Sequence, residues 1–115
     1  MSAELWFNPR CGTARKVRAW LDERGIDYEL REYLKAPPTR AEIEAVLAKS
    51  GMSAGELLRA KEPLAEELGV RGSEDEEKIL DAMAAHPILI NRPVVIDGER
   101  AKLCRPADEV EAFFA

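Results

Sequence analysis

The chain has 115 residues, 46% of them apolar and 34% charged, and its 17 Lys and Arg stand against 22 Asp and Glu for a formal net charge of −5. That length suits one domain (residues 1–115) around one core, and the acidic balance excludes a duplex-DNA reader that works by neutralising phosphates, so no nucleic-acid partner is expected. Two cysteines, Cys11 and Cys104, and one histidine, His86, exclude a disulfide framework and a zinc site built from Cys and His alone; no metal is expected, and the thiols read as reduced and cytoplasmic.

At the N-terminus, Glu4 interrupts a short apolar stretch, which is unlike a signal peptide with its basic start and apolar run of roughly 7–15 residues. No stretch approaches the ~18 apolar residues that cross a membrane. Leu5, Trp6 and Phe7 instead read as a buried strand that stops at Asn8-Pro9. A helix is predicted over 13–24, with Ala14, Val17, Trp20 and Leu21 on its apolar face and Gly25 as its stop. Alternation at Ile26, Tyr28 and Leu30 predicts a second strand that Pro37-Pro38 ends. Thr39 with Glu42, Ser53 with Glu56 and Ser73 with Glu76 each match a capping box, so the middle of the chain, about 39–86, is predicted as a helical insertion. Val94, Val95 and Ile96 followed by Asp97-Gly98 signal a hairpin, and Val110, Phe113 and Phe114 a closing helix. Strand, helix, strand, helices, hairpin, helix is an α/β order. It predicts a thioredoxin-like, glutaredoxin-like fold with a mixed four-stranded sheet whose first two strands are parallel.

Chemistry concentrates at Asn8-Pro9-Arg10-Cys11-Gly12-Thr13, where a thiol stands between a strand and a helix. Unpaired N–H groups and the positive end of a helix favour a thiolate there and can cradle an oxyanion. Arg10 and Arg15 are expected to add positive charge. Three residues beyond Cys11 stands Ala14, so the two-cysteine redox motif is absent and turnover needs an external thiol unless Cys104 serves. Cys104 and Arg105 are neighbours on a strand and face opposite ways; with Arg105 toward the site, Cys104 is a packing residue. Arg59, Arg92 and Arg105 stand where a purely solvated role is less natural, the last two directly before prolines. In this topology Arg92-Pro93 approaches the Cys11 loop, and that peptide bond is a candidate for the cis form.

The stretches NPRCGTAR (8–15), YLKAPPTR (33–40), LLRAKEP (57–63), EELG (66–69), HPILINRP (86–93) and LCRP (103–106) together resemble the ArsC family of glutathione- and glutaredoxin-coupled arsenate reductases, which also contains the Spx-type regulators. The resemblance implies a catalytic thiolate at Cys11 and an oxyanion held by Arg59, Arg92 and Arg105, with Asn8, Gly12, Thr13 and Arg15 in support. It implies arsenate as substrate, no bound cofactor, glutathione as reducing co-substrate, and glutaredoxin as partner. At the position before Asn-Pro, where the family's reductases often carry a histidine, this chain has Phe7, and it ends at Ala115, short of the extension of many longer members. His86 reads as a helix cap. Two alternatives stay open: a glutathione-linked thiol-disulfide oxidoreductase, and a Spx-like regulator, whose two-cysteine switch Ala14 does not supply.

Overall fold

The computed structural model describes residues 3–115. Leu5, Trp6 and Phe7 are all buried, so the first strand, β1 (Ala3–Phe7), carries apolar side chains on both faces and lies inside its sheet. Its neighbours are β2 (Tyr28–Glu32), parallel to it, and β3 (Val94–Asp97), antiparallel; β4 (Arg100–Leu103) completes the order β2-β1-β3-β4. Leu5 pairs with Leu30 on one side and Val95 on the other. This mixed four-stranded α/β sheet is the expected thioredoxin-like arrangement. The helices are α1 (Gly12–Glu23), α2 (Arg40–Ser50), α3 (Ala54–Leu57), α4 (Pro63–Glu67), α5 (Glu76–Ala85) and α6 (Glu109–Phe114), with a 3-10 turn at Pro87–Leu89.

The residues divide into two units, one holding 3–36 with 92–115 and the other 37–91. In the first, Val17 and Leu21 of α1 and Val110 and Phe113 of α6 pack with Leu5 and Val95 of the sheet. Each such side chain, taken out of water, contributes about 1.5–3 kcal/mol, which holds α1 on the sheet and fixes where its N-terminus lies. In the second unit, the Thr39 and Ser53 capping boxes are both formed, and Arg40 ties α2 to α5 by pairing with Glu77 and Asp81. No helix among the described residues is long and apolar enough to cross a membrane.

Four local expectations shift. Ser73 does not cap α5: the Asp75 side chain accepts from the Lys78 N–H at 3.2 Å, and Ser73 Oγ accepts from the Asp75 N–H. A carboxylate nearer the first turn satisfies the helix N–H groups better than a hydroxyl two residues upstream. The second strand begins at Tyr28, and Leu30 is 37% exposed because β2 is the sheet edge. Asp97 pairs with Arg100, so the hairpin turns on Gly98-Glu99, with Gly98 supplying the positive φ of 62°. Cys104 lies just beyond β4. The Arg92-Pro93 bond is cis, as is Arg105-Pro106.

Candidate active site

Cys11 is the N-cap residue of α1, with extended backbone angles and 7% exposure. The loop that carries it is closed by its own backbone and by Asn8. The Cys11 N–H donates to the Asn8 carbonyl at 3.0 Å, and the Arg10 N–H donates to Asn8 Oδ1 at 3.0 Å. The Asn8 side chain is buried, at 3% exposure. Its carboxamide thus replaces water for a loop that has none of the regular backbone ladder.

Two arginines reach the sulfur from the segments before β3 and after β4. Arg105 Nη1 donates to Cys11 Sγ at 3.5 Å and to the Arg92 carbonyl at 3.1 Å. The Arg92 guanidinium, from the segment entering β3, also makes hydrogen-bond contact with the sulfur. Burial pushes the Cys11 thiol up, but the Ala14 N–H in the first turn of α1 and the Arg92 and Arg105 guanidinium groups outweigh it and hold the thiol below its ordinary value. The expected source of charge is therefore corrected: Arg10 and Arg15 are not what lowers it. Arg15 spends its Nη1 on the Pro9 carbonyl at 2.8 Å, bracing the loop, because a side chain one turn into the helix reaches back over the loop that precedes it. Gly12 opens α1 at the surface, and Thr13 is half-buried beside it.

Arg59 belongs to the other unit. Its N–H donates to the Leu89 carbonyl at 2.7 Å, next to the Leu58–Ile90 bridge. Its Nε is buried with no hydrogen-bond partner among the described residues, and its closest carboxylate, Glu62, is 3.9 Å away. A guanidinium only partly satisfied by protein is a ready anion donor. His86 is exposed and caps α5 through its backbone, its N–H donating to the Ala82 carbonyl at 2.8 Å. Cys104 is fully buried, its thiol pushed up to about 12 by burial, and both cysteines are free. Phe7 is 4% exposed, with the Arg18 guanidinium 5.3 Å from its ring centre.

Tyr33 belongs to the site although no chemical motif in the sequence marks it. It is fully buried and contacts Asn8 and Arg92 through its hydroxyl. The available signal was its place at the head of the YLKAPPTR stretch, directly after the strand that pairs with β1.

The thioredoxin-like sheet thus presents one thiol at a helix N-terminus with guanidinium groups beside it. A model described as "ArsC family" matches residues 6–113, and the chain belongs to that family. It is 43% identical over 111 residues to the arsenate reductase of Rhizobium meliloti (strain 1021), spanning 96% of this chain and 79% of that relative. Against the arsenate reductase of Escherichia coli (strain K12) the identity is 38% over 109 residues, 92% of this chain and 76% of that one. The solved arsenate reductase from Vibrio cholerae superposes with a TM-score of 0.91 at 31% identity over 97% of each chain.

Proposed function

We propose that the protein is a cytoplasmic arsenate reductase that works through Cys11 with glutathione and glutaredoxin. The observation that carries this reading is the Cys11 thiol, held below its ordinary value by the first turn of α1, Arg92 and Arg105. Arsenate is a tetrahedral oxyanion whose oxygens suit guanidinium forks. In the proposed reaction the Arg92 and Arg105 groups bind those oxygens and offset charge as sulfur attacks arsenic. A sulfur–arsenic bond forms and an arsenate oxygen leaves as water.

With Ala14 in place of a second cysteine, no neighbouring thiol in the loop can carry the reaction on. Glutathione then adds its sulfur to the arsenic of the adduct, and a second arsenic oxygen leaves as water. A glutaredoxin thiolate takes that glutathione as a mixed disulfide, and the two electrons of the broken sulfur–arsenic bond reduce As(V) to As(III). Hydrolysis frees arsenite and restores Cys11. The test is arsenite release from arsenate with both thiol donors and with each withheld. Activity that survives in Cys11→Ser, or that is unchanged without glutathione, overturns the reading.

One observation favours a second substrate class. Phe7, buried and apolar, stands where the family's reductases often carry histidine, so the same thiolate would serve a glutathione-linked disulfide instead. Turnover of a glutathionylated model peptide faster than arsenate would favour that class.

A further inference from the structure

Tyr33 is one of two tyrosines in the chain and the only one that is fully buried. It follows the last residue of β2, in a turn closed by the Lys35 and Ala36 N–H groups donating to the Glu32 carbonyl, each at 2.9 Å. A phenol buried this way must place its hydroxyl against polar partners, because an unsatisfied one costs the desolvation of the group. The Asn8 and Arg92 side chains that Tyr33 contacts belong to the thiol site. Asn8 holds the Cys11 loop closed, and Arg92 touches the Cys11 sulfur and offers its carbonyl to Arg105.

We propose that Tyr33 is a positioning residue of the Cys11 site, a neutral phenol that joins the Asn8 side chain of the thiol loop to the Arg92 guanidinium and so fixes the cation against the sulfur. It does not touch the reacting atom on this account; it acts through Arg92. The proposal rests on the reading of Cys11 as the nucleophile. The charged groups facing the sulfur come from two segments, Arg92 before β3 and Arg105 after β4, and Tyr33 enters from a third, after β2. Burial keeps the phenol in its neutral form, with the Arg92 charge pulling the other way and a charged Cys11 adding to the upward push. A neutral hydroxyl can donate to one partner and accept from the other; a phenylalanine ring of the same shape can do neither.

The test is the pH profile of Cys11 alkylation by iodoacetamide, followed on the peptide that contains Cys11. In Tyr33→Phe the profile is expected to move to higher pH, with the rate at pH 7 lower by roughly three- to tenfold, as a weakened charge-assisted contact implies. Tyr28→Phe is the control. Its hydroxyl donates to Asp22 at 2.7 Å and accepts from Arg18 at 3.3 Å, away from the sulfur, and its profile is expected to match the wild type. Combined with Arg92→Ala, the Tyr33→Phe effect is expected to vanish, since the two act as one unit. A Tyr33→Phe profile that superimposes on the wild type, or effects of the two substitutions that simply add, overturns the positioning role while leaving Cys11 as nucleophile. A wild-type profile typical of an unperturbed thiol overturns the nucleophile itself, and the positioning role with it.

Discussion

Arg105 Nη1 serves Cys11 Sγ at 3.5 Å and the Arg92 carbonyl at 3.1 Å, so one nitrogen bridges the thiol and the segment that carries the second arginine. This bridge makes Arg105 both a charge and a spacer. Arg105→Ala removes both, and the rate of Cys11 alkylation at pH 7 is expected to drop by roughly five- to tenfold. Arg105→Lys keeps a point charge and loses the planar fork, so it is expected to fall between. Stopped-flow or mass-spectrometric rates across pH 5–10 check the order; a lysine variant no better than alanine would show that geometry, and not charge, holds the thiolate.

The lowered Cys11 thiol also sets a pH dependence of stability. Its folded value lies below the unfolded value of about 9, so its stabilising contribution is complete above that pH and is lost as pH falls through the folded value. Wild type is therefore expected to gain on Cys11→Ser in chemical denaturation as pH rises from 6 toward 9. A stability difference that stays flat over this window would contradict a thiolate held by the fold.

Cys104 has the opposite sign. Burial pushes its thiol up to about 12, so its contribution is complete below the unfolded value of about 9 and is lost as pH rises toward 12. Three pH units correspond to roughly 4 kcal/mol at most. Cys104→Ala leaves a small cavity and starts less stable, yet its denaturation midpoint is expected to decline less steeply above pH 9 than that of the wild type. Parallel declines would mean that the Cys104 thiol is solvated.

Features set by neighbours in sequence were legible in it. The apolar run of β1, the Thr39–Glu42 and Ser53–Glu56 boxes and the glycine of the hairpin each depend on a few adjacent residues. Cys11 at the head of α1 was legible for the same reason. What acts on its sulfur was legible only in part, since topology brings Arg92-Pro93 toward the Cys11 loop but no local pattern points to Tyr33. Arg10 and Arg15 are close in sequence but serve the loop backbone or solvent, whereas Arg92, Arg105 and Tyr33 arrive through the sheet from more than 20 residues away. The edge position of β2 depended equally on strand order, which no local pattern encodes.

The Thr39 box offers a stability change confined to the second unit. Its hydroxyl accepts from the Glu42 N–H at 3.1 Å, and Glu42 Oε1 accepts from the Thr39 N–H at 2.9 Å. Thr39→Ala is expected to cost about 1 kcal/mol in equilibrium unfolding. Cys11 alkylation in the same variant is expected to be unchanged, because neither hydrogen bond involves the thiol unit; a slower thiol there would show that the cap of α2 also conditions the site.

Arsenate binding can be read without turnover. If the guanidinium groups at Cys11 hold the oxyanion, arsenate added without any reducing thiol shields the sulfur, by occupying the site or by forming the sulfur–arsenic bond. Cys11 alkylation in the wild type is expected to slow as arsenate rises, while sodium chloride at equal ionic strength has a smaller effect, since screening alone acts on any exposed charge. Arg92→Ala is expected to require roughly tenfold more arsenate for the same protection, the loss of one charge-assisted contact. Equal protection by chloride, or an Arg92→Ala curve that overlays the wild type, would show that the thiol is activated without an oxyanion seat beside it, and would turn the reading toward a disulfide substrate.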